Sequence, residues 1–147
     1  MKLMKLVVFA FVWGAVLLAG CNAEEDVLTE IKFNRGHGSA WGNQFYIEIN
    51  AQEIVTAQYI PEGTGEMVTV EHVLIMDTQW QALKTVAEQL PLEKARTDLW
   101  EKHKLDGSEY RELTLIYGTK ETTYWWPNVP EAQQLELLLE NLLDASI

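Results

Sequence analysis

The side chains best suited to chemistry crowd into one short stretch, Asn34-Arg35-Gly36-His37-Gly38-Ser39-Ala40-Trp41-Gly42. Arg35, His37, Ser39 and Trp41 offer a guanidinium, a base, a hydroxyl and a stacking ring, a set able to grip a small anion or a sugar. The interleaved glycines permit close backbone approach. Phosphate-cradling loops usually open a helix, where several amide N–H groups converge. This stretch falls between two expected strands, so a long hairpin loop is the plainer reading. Ser39 beside His37 is the one local hint of a nucleophile and base, and that chemistry needs an acid as third member. There is no Gly-x-Ser-x-Gly elbow. Nothing selects a glycosidase-like carboxylate pair among the 22 acids. His37, His72 and His103 are the only histidines, and no two have the i, i+4 spacing of ligands on a helix. The acids form no calcium-loop pattern. The sequence therefore points to no catalytic residue, metal site or cofactor.

A second candidate is aromatic. Tyr124, Trp125 and Trp126 are consecutive on an expected strand. Neighbouring side chains on a strand point to opposite faces, so the two indoles cannot enter one core. One of them, or Tyr124, is expected to reach solvent as a surface for a protein or glycan partner. The competing arrangement packs Trp125 under the last helix and covers Trp126 with the Pro127 turn.

The N-terminus has a third kind of chemistry. Lys2 and Lys5 precede an uncharged apolar run, Leu6 to Gly20. The run is short of the about 20 residues a membrane-spanning helix needs. A basic start, a short apolar core and small residues at its end have the order of a secretory signal. The segment ends Leu18-Ala19-Gly20-Cys21, which resembles the lipobox of bacterial lipoproteins. The resemblance covers residues 1–21 alone. It implies cleavage before Cys21, acyl chains on that residue, and a protein held on the cell membrane or outer membrane, facing away from the cytoplasm. Asn22 after the cysteine resembles the outer-membrane sorting choice. Two or three chains matter, because one chain binds a bilayer only marginally. Cys21 is the sole cysteine, so the rest of the chain has no internal disulfide.

Removing the leader leaves 127 of 147 residues, one ordinary domain, and shifts the formal charge from −11 to −13. Such an acidic chain lacks the basic footprint of a nucleic-acid binder. Anionic lipid headgroups should repel it. Residues 21–27 read as the lipidated cysteine and a tether of about 20 Å, and 28–147 as a single domain.

The elements that would position these residues follow from periodicity. Ile31 and Phe33, then Phe45, Ile47 and Ile49, then Val55, Ala57 and Tyr59 alternate with polar neighbours and read as strands. Met67–Ile75 reads as a fourth, with Val68, Val70 and His72 on one face. Trp80, Leu83, Ala87 and Leu90 recur at helical spacing; Asp77 or Thr78 would cap that helix, Thr78 with Gln81 as a capping box, and Pro91 stops it. Residues 92–109 suggest a short helix or packed loop. Tyr110–Tyr117 and Thr122–Trp126 form a hairpin. A last helix, capped by Asn128 with Glu131, carries Leu135, Leu138, Leu139 and Leu142 as a core stripe. The order ββββ-α-(α)-ββ-α predicts an α+β fold, an antiparallel sheet of about six strands with two main helices on one face. The expected role is binding or protein interaction at the cell envelope, with a small envelope-polymer hydrolase using His37 and a carboxylate, or a cation-binding lipoprotein, as alternatives.

Overall fold

Alternating apolar residues give this chain a one-sided sheet. The computed structural model describes residues 27–37, 43–60, 65–95, 107–127 and 129–145. The strands are β1 (Leu28–His37), β2 (Asn43–Asn50), β3 (Glu53–Tyr59), β4 (Val68–Leu74), β5 (Glu109–Tyr117) and β6 (Lys120–Pro127), with α1 (Asp77–Gln89) after β4 and α2 (Pro130–Asp144) after β6. All six strands form one antiparallel sheet in the order β4-β3-β2-β1-β5-β6. The N-terminal β1 thus lies centrally, between β2 and the late strand β5.

The register explains the core. Ile31 sits between Ile49 and Leu115, and Phe33 between Ile47 and Leu113. These six side chains are fully buried, with Phe45, Ile54 and Ala57 beside them. Trp80, Leu83 and Ala87 of α1 and Leu135, Leu139, Leu142 and Leu143 of α2 close the same cluster. Both helices therefore spend their apolar stripes on one face of the sheet. The leucine stripe of α2 is core, and its Leu137 faces solvent.

The helices cross the strands. Glu136 of α2 meets β5 and β1, and Asp144 lies close enough to Tyr59 of β3 to add to the upward push that burial gives its hydroxyl. Starting from the β4 edge, α1 brings Glu88 near Tyr117 of β5. At 1.5 Å per residue, 13 and 15 residues span about 20 and 22 Å. Five strands at about 4.8 Å spacing need a similar width.

Several local expectations need correction. The row on β3 continues through buried Ile54, not Val55, because the pairing with β2 slips: Glu48 faces Thr56 but Ile49 faces Ile54. On β4 the residue after Val68 and Val70 on the core side is Val73, opposite Ile54. His72 adopts φ +54° and stands in solvent. The β3–β4 register is unbroken around it, so β4 follows the slip that β3 makes against β2. The first turn of α1 is capped one residue early: Met76 is the N-cap, and the Gln79 side-chain oxygen accepts from the Met76 N–H at 2.8 Å. For α2 the N-cap is Val129, with Pro130 as first helical residue and no side-chain cap; Asn128 lies outside the described residues. Within 92–109, the described residues include a 3-10 turn at Leu92–Lys94, and residues 96–106, His103 included, lie outside the described set.

Tight turns fix the ends of the strands. Between β2 and β3 the Asn50 side chain accepts from the Gln52 and Glu53 N–H groups at 2.8 and 3.0 Å. Between β5 and β6, Gly118 takes φ +59°, which a two-residue hairpin loop favours.

Candidate functional site

Arg35 does not sit in a loop. It is a strand residue of β1, opposite Arg111 of β5, on the face covered by the helices. Two guanidiniums side by side need an anion, and α2 supplies it. Glu136 accepts from Arg35 through Oε1 and from Arg111 Nε through Oε2, the latter at 3.0 Å. Glu140 lies 3.5 Å from Arg35, and Glu109 3.0 Å from Arg111 Nη1. The Arg35 guanidinium also lies over the Phe45 ring, 5.9 Å from its centre. Glu136 and Arg111 are 4 % and 3 % exposed. Burial pulls the Arg111 guanidinium below its ordinary value, and Glu109 opposes that pull. A guanidinium held this way joins sheet and helix, and the anion it grips is the Glu136 carboxylate. Of the other loop candidates, His37 ends β1 opposite Glu109, and Ser39 and Trp41 lie outside the described residues, as does Cys21.

The aromatic triplet resolves by register. Trp126 pairs with Arg111 on the helix-covered side and is 3 % exposed. It is a core residue. Tyr124 shares that side, half-buried, with its ring 6.1 Å from that of Trp126. Trp125 points to the opposite face, half-buried, and its indole N–H donates to Glu112. The arrangement with Trp125 beneath the last helix is thus reversed, and of the two indoles Trp125 alone is left for a surface role.

That opposite face is the candidate site. Among the described residues no helix lies on it. One cross-strand row reads Gln58, Tyr46, Asn34, Glu112, Trp125 from β3 to β6. The next reads Glu71, Thr56, Glu48, Lys32, Thr114, Thr123. Tyr46 donates its hydroxyl to Glu48 at 3.0 Å. Burial, then Glu48, pushes that hydroxyl up to about 12, so it stays a donor under ordinary conditions. Lys32 lies 3.3 Å from Glu30 and 3.9 Å from Glu48. Burial raises the Glu30 carboxyl, and the Lys32 contact works against the rise. By register, Lys32 is the one cation among the described residues of this face, against Glu30, Glu48, Glu71, Glu112 and Glu121. Tyr46 was missed in the sequence because its alternation marked it only as a polar neighbour of core residues.

Three carboxylates of this face, Glu48, Glu112 and Glu30, are tied to Tyr46, Trp125 and Lys32. Among the described residues no group of three or more His, Cys, Asp or Glu is placed to hold a metal ion. His72 faces Glu53 alone, Nδ1 to Oε2 at 3.2 Å. The cleft between the helices, about 180 Å³, is lined by Gln79, Ala82, Leu83, Leu138, Asn141 and Leu142, none of them an acid, base or nucleophile. No protein-family model matches the chain, and a search of curated proteins finds no relative.

Proposed function

We propose that this chain is a lipid-anchored protein of the bacterial cell envelope that binds a partner through the face of its sheet that no helix covers among the described residues. The anchor reading is supported by the lipobox-like Leu18-Ala19-Gly20-Cys21 behind a basic and apolar leader. The binding reading is carried by one observation. Among the described residues the helices cover one face of the sheet, and the other carries half-buried Tyr46 and Trp125, with carboxylates already oriented by their hydroxyl and indole N–H, beside buried Asn34, Tyr110 and Thr114. Aromatic rings with fixed polar tips add contact area at little cost in side-chain freedom. The excess of acids favours a basic partner surface and speeds its encounter.

The test is paired. The double variant Tyr46→Ala, Trp125→Ala is expected to lose cross-linked capture of its envelope partner while keeping its melting temperature within a few degrees. Capture that survives both substitutions would remove this face as the binding surface. Membrane fractionation of Cys21→Ser tests the anchor separately, and its release into the soluble fraction is the expected result.

A further inference from the structure

Antiparallel pairing sorts the sheet into two ends. Val27 and the start of β1 share one end with the β2–β3 turn, the C-terminal end of β4 and the β5–β6 turn. The β1–β2 and β3–β4 connections share the other. Apolar side chains left in water at the first end are Val27, Leu74 and Met76, exposed by 51 %, 81 % and 63 %. Leu74 is the most exposed large apolar residue among those described. It follows the buried-side residue Val73, so its side chain leans away from the core, at the tip of an edge strand. Met76 is the N-cap of α1, whose role there is served by its backbone N–H. Neither side chain contributes to the core cluster.

Five residues separate Cys21 from Val27, six steps with a reach of about 20 Å when extended. We propose that this end of the sheet, through Val27, Leu74 and Met76, rests in the headgroup zone of the bilayer that carries the anchor. This rests on the lipid-anchor reading and goes beyond it, since a lipid tether alone leaves the domain free to tumble. A short tether confers a high effective concentration, so contacts too weak to hold a free protein become populated. The charged groups at the same end are Glu30, Glu53 paired with His72, Asp77 and Glu121, against Lys120, and Glu24-Glu25-Asp26 precede Val27 in the sequence. They are mostly acidic, so a zwitterionic surface suits this end better than the strongly anionic one that the whole chain's −11 charge also opposes.

The test uses the full chain, with Cys21 acylation verified by mass spectrometry, in phosphatidylcholine vesicles. Because acylation consumes the only native thiol, Leu74→Cys and Met76→Cys each supply a single site for a fluorophore. Thr69→Cys, exposed on the same strand about 17 Å away, is the comparison. Headgroup-nitroxide lipids should quench the labels at 74 and 76 at least threefold more than the label at 69. Equal quenching at both ends of β4, in a sample whose Cys21 carries its acyl chains, would overturn the proposed orientation and leave the anchor standing. A bare Cys21 in protein from the native host would remove the anchor on which it rests.

Discussion

At the scale of single residues, the two faces of the sheet treat polar groups differently. Tyr46 keeps its proton because burial and Glu48 both disfavour the phenolate; its value is pushed up to about 12 from an ordinary 10.0. A folded-state value above the unfolded one means that the fold holds the proton more tightly. The associated stability is present below pH 10 and is lost as pH rises from about 10 towards 12. Solvent screening on this half-exposed face keeps the loss near ~1 kcal/mol. Urea midpoints measured between pH 9 and 11.5 should fall for the natural sequence and fall less steeply in Tyr46→Phe, since Tyr59, Tyr110 and Tyr117 are also pushed up. The same scale shows why Trp125 and Trp126 are not equivalent. One residue of register separates a hydrogen-bonded surface indole from a buried one, and truncating the buried ring costs about 3–5 kcal/mol.

At the scale of elements, the helices and most strand faces were legible before any coordinates. Trp80, Leu83 and Ala87, and the leucines of the last helix, recur at a spacing that only a helix turns into one face. What could not be read were the places where a strand skips. Val55 and His72 occupy alternating positions that look like core, yet Ile54 and Val73 take those places. A bulge is decided by the partner strand's register, which a single strand's pattern does not contain. His72 also illustrates a cost, since its φ of +54° is a left-handed conformation that a side chain resists by about 1–2 kcal/mol. Its exposed contact with Glu53 offsets little of that. His72→Gly should therefore raise stability by about 0.5–1 kcal/mol in chemical denaturation, and His72→Val should lower it.

At the scale of the whole molecule, the group joining distant parts of the chain was the least legible. Arg35 and Glu136 are 101 positions apart in sequence, and each alone reads as a surface charge. Only the insertion of β1 beside β5 brings Arg35 to Arg111, and only the path of α2 across the strands lays Glu136 between them. Removing Glu136 takes away the one anion that the two cations share and leaves them only Glu140 and Glu109 at their flanks. Glu136→Ala should cost about 3–5 kcal/mol in urea unfolding. Replacing Arg35, Arg111 and Glu136 together by apolar residues of similar size should cost far less. Equal losses in the two variants would show that the charges act independently. The lipobox-like Leu18-Ala19-Gly20-Cys21 is of the opposite kind, a contiguous pattern that needs no fold to be read.

The outermost strands raise a question of neighbourliness. A sheet with two free rims can stitch itself rim to rim into fibres, and the danger grows wherever many copies are crowded together. Here β4 carries the His72 kink and β6 runs out at Pro127, which has no N–H to offer. The strain stored at position 72 thus has a use: it spoils the straight template on which a second molecule would zip.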